Sequence, residues 1–435
     1  MKLRPFELAL VIIFVVLGLA ALALLASYDG GSSGPEEGEV VTGPVQIWGT
    51  MPGSGMQTVL DELVAKNETY KDVSYRYIAP AQFEQTLTNA LADSRGPDII
   101  LTSHEELVDS RSRIAPYSYE QFPLRDVRDR YIEGAQIYAL SDGVYALPIA
   151  VDPMVLFWNR DILATEGYLA APSTWEELIN VQFNDLIQRD FDRTIRRGVV
   201  AMGEYNNVRN AFGLVSMLLM QSGSQGVADV ARGYEINLNR SINDASNPLR
   251  TVADFYTRFS RPANTLYSWN RSFAEDRNEF IGEDLVFYFG YASEGPVLER
   301  LNPNLNLDIS EVPQGAAASV RRTYGRFYGL SLLRSTDNPN GAYSVMGTLG
   351  GSSIADRIAI GSDLTPVTRQ TVAAGSNTTY GRISYQSAAI AYGWLNPDPD
   401  ATDIVFATMM EDINENRSSV DGATGDAIDR LGFEY

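Results

Sequence analysis

The chain has 435 residues, no cysteine, one histidine and a formal net charge of −21 at pH 7. Without cysteine there are no disulfides, thiolate nucleophiles or thiolate-held metals, and one histidine leaves serine–histidine catalysis and multi-histidine metal sites almost nothing to use. The acidic balance argues against nucleic acid and against lying flat on anionic lipid, while the length suffices for two globular bodies, each with its own core.

Leu8 to Ala26 is an unbroken apolar and small-residue run, long enough to span a bilayer core as a helix. Lys2 and Arg4 precede it and Asp29, Glu36, Glu37 and Glu39 follow, so the charge bias puts the N-terminus inside and the rest of the chain outside. A cleaved secretory signal is the competing reading, but cleavage after Ala26 would place Leu24 where a small residue is wanted. Residues 1–28 are therefore read as a transmembrane anchor contacting the bilayer through 8–26. Residues 29–43, rich in Gly, Ser and Glu, are read as a flexible tether.

From Pro44 the pattern turns to alternating strands and helices. Pro44–Trp48 reads as a strand, Gly49–Gly55 as a tight connection, and the next segment as a helix with Met56, Val59, Leu60 and Leu63 on one face. Three glycines here suggest a phosphate loop, but the Gly-Lys-Ser/Thr ending is absent, so no nucleotide or other cofactor is expected. Val73–Ile78 is a second strand, Gln82–Ala92 a helix, and Asp98–Thr102 a third strand running into Ser103-His104-Glu105-Glu106. Open α/β sheets place ligands beyond the C-terminal ends of such strands. Trp48, Thr50, Ser54, Thr102, His104 and Glu105 are the candidates there, against the plainer readings of a core tryptophan for Trp48, a hydrogen-bonded structural histidine for His104 and a helix cap for Glu105.

Gly143–Leu178 is the most informative stretch. Tyr145–Val151 is an apolar run interrupted by Pro148, and Met154–Trp158 is a second β-prone run stopped by Asn159-Arg160-Asp161. Pro172-Ser173-Thr174-Trp175-Glu176-Glu177 then opens a helix with capping-box spacing at Ser173/Glu176 or Thr174/Glu177. Taken together, Leu147–Asp152, Trp158–Asp161 and Pro172–Glu177 resemble the extracellular solute-binding proteins of ABC importers, in the sugar-binding group that includes maltose-binding protein. The resemblance implies a two-lobed, type II periplasmic-binding-protein-like α/β fold with hinge-crossing strands, here preceded by one transmembrane helix. It places Trp48, His104, Glu105 and Asp152 at ligand-contact positions and implies permease subunits as partners. Members are often held by a lipidated cysteine, which this chain lacks.

The second half reads as helix-rich over Trp175–Ile187, Val208–Gln221 and Pro248–Phe259, and the apolar run Ala211–Met220 is too short to span a membrane. Trp269 precedes a strand over Gly282–Phe289 that leads into Tyr291, where the family's Gly-Pro-Trp turn is replaced by Gly-Tyr. Leu307–Gln314 resembles a second crossing strand, Tyr324–Leu333 a strand re-entering the first sheet, and Gly381–Tyr392 a third crossing. Arg321, Arg322 and Arg326 read as a solvated basic loop. Trp394–Asp400 reads as a rigid loop that lacks a calcium-binding pattern, and no metal is expected.

Residues 44–435 are thus expected to form one solute-binding domain. Lobe 1 takes about 44–148 and 315–380, and lobe 2 about 149–314 and 381–435. Trp48, Trp158, Trp269, Tyr291 and Trp394 are expected to offer aromatic faces to a sugar, with Thr50, Ser54, Thr102, His104, Glu105 and Asp152 as its polar contacts. The function expected is capture of a sugar or oligosaccharide for an ABC importer, without catalysis. A surface sensor or adhesion module is the alternative; a carbohydrate-active enzyme using Glu105 and Asp152 is weaker, because no local motif supports it.

Overall fold

The computed structural model describes residues 42–231, 233–241 and 246–435. The apolar segment 8–26 and the tether up to residue 41 lie outside them. Among the described residues no helix is long and apolar enough to cross a membrane.

Strands β1 (Val45–Gly49), β2 (Val73–Tyr77) and β3 (Ile99–Ser103) pair in parallel with β1 in the centre. Helices α1 (Ser54–Lys66) and α2 (Pro80–Ala92) connect them. Each helix buries one face, Met56, Val59 and Leu60 on α1 and Phe83 and Leu87 on α2, as their spacing requires. Along β1 and β3 neighbouring residues enter different cores: Ile47, Ile99 and Leu101 pack on one side, Trp48 and Ile100 on the other. The first half of the molecule is therefore a sheet with a core on each face.

The two apolar runs around Pro148 and Pro153 are not separate strands. They form one strand, β4 (Leu147–Asn159), buried at every position. Proline donates no backbone hydrogen bond, so it is tolerated within a sheet only where the ladder is broken or bulged. At Pro148 the registry slips: Tyr328 pairs with Ala150 and Gly329 with Pro148, leaving Ile149 as the extra residue of a bulge. The first part of β4 pairs antiparallel with β8 (Thr323–Leu332), which pairs in turn with β3.

Beyond Pro153, β4 pairs with β6 (Leu285–Tyr291) and β7 (Leu307–Ser310), and β5 (Ile195–Val200) extends the sheet beside β6. The order is β2-β1-β3-β8-β4-β6-β5. Core membership changes within three residues along β4: Val151 belongs with Phe327 and Tyr138, whereas Met154 joins Phe157, Trp175, Phe259 and Phe406.

Helices α3 (Ala211–Gln221) and α4 (Pro248–Thr257) pack into that second core. α3 is apolar and buried nearly all round, the solution expected for a run too short to span a bilayer. The helix opening at Trp175 is capped by Thr174, whose side chain accepts from Glu177 N at 3.1 Å, so of the two capping pairs the second is formed. α5 (Pro339–Leu349) follows β8.

Two expectations change. The segment taken as the third crossing is largely a helix, α6 (Thr379–Ala389), followed by Ala391–Tyr392 paired with β8. It still passes between cores, since Tyr380 and Ile383 pack on the second and Ala388 lies in the first. Arg326 is not in a basic loop but in the middle of β8, while Arg321 pairs with Glu311 at 2.6 Å. α7 (Pro399–Asn414), capped by Asp398, and α8 (Val420–Leu431) complete the second core.

Candidate functional site

The site is built on the alternation of β8. Tyr324, Arg326 and Tyr328 are two apart and so project from one face of the strand. Arg326 lies directly opposite Asp152 on β4, and Tyr328 opposite Ser103 at the end of β3. Ser103 caps the short turn His104–Glu106 by accepting from Glu105 N at 3.2 Å. That turn brings Glu105 onto the β8 face.

The Arg326 guanidinium donates through Nε to Glu105 Oε2 at 3.1 Å and lies 4.5 Å from the centre of the Tyr291 ring. Tyr324 Oη donates to Glu105 Oε1 at 2.6 Å. Burial works to raise the Glu105 carboxyl, but Arg326, His104 and the Tyr324 hydroxyl together hold it below the usual glutamate range. Arg326 and Glu105 thus form a fixed dipolar bar across the site, neighboured by π faces.

Beneath the bar, His104 is fully buried and accepts from Phe327 N through Nδ1 at 3.2 Å. Burial drives its pKa down to about 4, so the ring is neutral at ordinary pH. Asp152 is buried as well, accepting from Ser293 N at 3.0 Å and from Ser293 Oγ at 2.5 Å. Burial raises its carboxyl to about 6, with the two Ser293 bonds acting against that rise. Asp152 ties β4 to the start of the helical turn after β6. Asp152 is thus committed to Ser293 and Glu105 to Arg326.

Two cavities meet at the bar. The larger, about 670 Å³, is lined from the second half by Tyr205, Asn206, Arg209, Asn210, Tyr291 and Asp403, and from the first by Glu105 and Arg326. Its hydrogen-bonding groups sit beside the aromatic surfaces of Tyr205, Tyr291 and Phe212. Tyr205 Oη donates to Asp403, tying the loop before α3 to α7. The smaller cavity, about 330 Å³, lies on the first-half side and is lined by Thr50, Phe83, Glu106, Tyr328 and Asp400 among others, with Glu105, Arg326 and Pro399 shared between the two.

Of the residues singled out in sequence, Thr50, Glu105 and Tyr291 line these cavities, and His104 and Asp152 support them from below. The others lie elsewhere. Trp48 is buried under the Arg76 guanidinium, 4.7 Å from its ring, and Thr102 is buried within β3. Ser54 Oγ donates to Gly361 O at 2.7 Å. Trp158 lies in the second core, and Trp269, fully buried, stacks on Phe273 at 4.7 Å and donates to Asn207 Oδ1 at 3.0 Å. Trp394 donates to Ser216 Oγ at 3.0 Å and faces a separate recess between Gln136–Ser141 and Gly223–Asp229. Arg326, Tyr324, Tyr205 and Asp403 were not singled out as site residues. The Tyr-x-Arg-x-Tyr alternation within an otherwise apolar strand was the available signal for Arg326.

Among the described residues no group of three or more histidine, aspartate or glutamate side chains is arranged to hold a metal ion. Two cored halves sharing crossing strands, with a polar, aromatic-edged cleft at the crossing, define a periplasmic-binding-protein-like fold. The sequence profile of the family described as bacterial extracellular solute-binding protein matches residues 50–192.

Solved structures agree on the fold. A cyclo/maltodextrin-binding protein complexed with maltotetraose superposes with a TM-score of 0.70 at 14% identity, covering 92% of this chain and 98% of that one. The sugar-binding protein MalE from Xanthomonas citri gives 0.69 at 17% identity, with 90% and 97% covered. The GacH receptor of Streptomyces glaucescens gives 0.64 at 17%, with 89% and 98% covered. None of the curated protein sequences matches the chain. The resemblance to sugar-binding solute-binding proteins of ABC importers, read from Leu147–Glu177, is borne out by these likenesses.

Proposed function

We propose that this protein captures a sugar or oligosaccharide outside the cell, tethered through residues 8–26, and hands it to the permease subunits of an ABC importer. The observation that carries this reading is the Glu105–Arg326–Tyr291 bar at the meeting of two polar cavities lined from both halves. A pocket that matches ligand hydroxyls with fixed carboxylates, amides and a guanidinium discriminates strongly against analogues lacking them. Tyrosine faces beside those groups suit the C–H surface of a sugar ring. Maltodextrin and acarbose ligands of the structural neighbours support the same class of solute.

A thermal-shift screen of the purified chain against mono- and oligosaccharides, polyols, peptides and phosphorylated sugars tests the reading. At least one carbohydrate should raise the melting temperature in a dose-dependent way, as binding to the folded state alone requires. A flat response to every carbohydrate beside a clear response to a peptide would sink it. Co-purification with permease subunits from membranes separates delivery from the sensor or adhesion role, which predicts none.

A further inference from the structure

The smaller cavity has an unusual wall. Carboxylates reach it from three places: Glu84 on α2, Glu105, Glu106 and Asp109 after β3, and Asp398 and Asp400 at the start of α7. Arg326 is the cationic side chain among the lining residues. Some of the charge is already engaged. Arg113 donates to Glu84 at 2.8 Å, Arg326 to Glu105, and Ala401 N to Asp398 at 2.8 Å.

Glu106 is different. Its Oε2 is sealed from solvent and has no hydrogen-bond partner. A buried acceptor left without a donor costs free energy, so native structures rarely keep one unless something else supplies the donor. Desolvation, reinforced by Glu105, pushes its carboxyl up to about 8. The remaining wall is apolar or aromatic: Pro80, Ala81, Phe83, Tyr328 and Pro399. Carboxylates spread around such a wall, without three converging as metal ligands, suit a cation that carries C–H surface better than a bare divalent ion.

We propose that this cavity seats a protonated amine borne by a polyhydroxylated ligand, an aminosugar or amino-oligosaccharide. The ammonium approaches the Glu106 carboxyl from its cavity side, and the sugar rings extend past the Glu105–Arg326 bar into the larger cavity. The inference rests on the solute-binding reading above and narrows its ligand. An ammonium beside Glu106 favours the ionised carboxylate, so near neutral pH binding releases the Glu106 proton to the buffer. Glu84, Glu105, Asp109, Asp398, Asp400 and Arg326 are the other charged groups facing that site.

Titration calorimetry on the full-length chain with three probes decides the matter: a glucosamine trimer, its fully N-acetylated counterpart, and maltotriose. The amine trimer should bind about tenfold more tightly than the acetylated one, weaken as salt rises from low to physiological strength, and release protons in buffers of differing ionisation enthalpy. Glu106→Gln should abolish the proton release and lose about tenfold in affinity. Should that variant not fold, Asp400→Asn at the exposed rim should weaken the amine trimer roughly twofold and lower the salt dependence.

Equal or tighter binding of a neutral trimer overturns the amine inference and leaves carbohydrate capture standing. Amine binding indifferent to these substitutions overturns it too. No binding of any trimer, with none in the wider carbohydrate screen, removes both readings.

Discussion

Arg326 and Asp152 face each other across the β8–β4 ladder, yet the guanidinium reaches past its neighbour to Glu105, while Asp152 turns to Ser293. Two opposite charges that could have paired instead each fasten a different loop to the crossing strands. Arg326 secures the turn after β3, and Asp152 secures the turn after β6.

The first prediction concerns Arg326. Removing one member of a largely desolvated pair leaves the other charged and unpartnered, which costs more than removing both. Arg326→Met should destabilise by roughly 2 kcal/mol, and adding Glu105→Gln should restore part of that loss. Urea melts of the two single variants and the double variant measure the coupling. Strict additivity would mean that the pair makes no structural contribution.

The second concerns His104, the only histidine in the chain. Imidazole nitrogen resonances observed by NMR therefore report it without assignment. It should titrate near pH 4 rather than near 6.5, because burial excludes the charged form. Between those values the unfolded chain holds a proton that the folded chain refuses. Its contribution to stability is thus complete above 6.5 and is lost as pH falls toward 4. A midpoint close to 6.5 would show the ring to be hydrated. Asp152 runs the opposite way: raised to about 6, it makes the folded state bind a proton first, so its contribution falls as pH rises from 3.8 through 6.

The third uses Gly213 on α3. A Cβ built there would lie 2.6 Å from Tyr291 Oη and 2.9 Å from Met154 Sδ, inside van der Waals contact. Gly213→Ala should displace the Tyr291 ring from Arg326 and weaken ligand binding by about tenfold or more. Helix propensity itself favours the alanine. Unchanged affinity, compared by calorimetry with the ligand found in the screen, would show that the Tyr291 ring has no part in binding.

The fourth lies away from the cleft. A hairpin formed by Val227–Val230 and Gly233–Ile236 in the second half meets Arg111 of the first. Arg111 donates to Asp229 at 2.6 Å, to the Tyr234 hydroxyl at 2.8 Å and to Asp142 at 2.9 Å. Arg111→Leu should raise amide hydrogen exchange in the hairpin ahead of the rest of the second half, because Arg111 ties down both of its half-buried strands, through Asp229 on one and Tyr234 on the other. Uniform protection would show the hairpin to be held by packing alone.

Much of the first half was legible because its local signals agree with its tertiary use. β1, β2 and β3 and their helices follow period and turn chemistry, and the Thr102–Glu105 segment lies where parallel sheets place ligands. The errors share one physical cause: several side chains are decided by burial that sequence does not encode locally. Trp158 and Trp269 are large apolar groups that the second core absorbs. Arg326 looked solvated because Arg321 and Arg322 stand close by, yet it follows three strand residues, Thr323 to Gly325, that carry it into the sheet. Two apolar runs read as separate strands, and only the bulge opposite Gly329 shows how the strand accommodates Pro148.

That strand has a practical consequence for dissecting the molecule. β4 is hydrogen-bonded on one stretch into the first half and on the next into the second, and the chain returns through β8 and α6. No single cut yields an intact half: ending the polypeptide at Asn159 deprives the N-terminal portion of β8, and starting after it strips β6 and β7 of their central partner. Anyone wishing to study one half by itself must splice non-contiguous segments together, or leave the polypeptide whole and probe each side by point substitution.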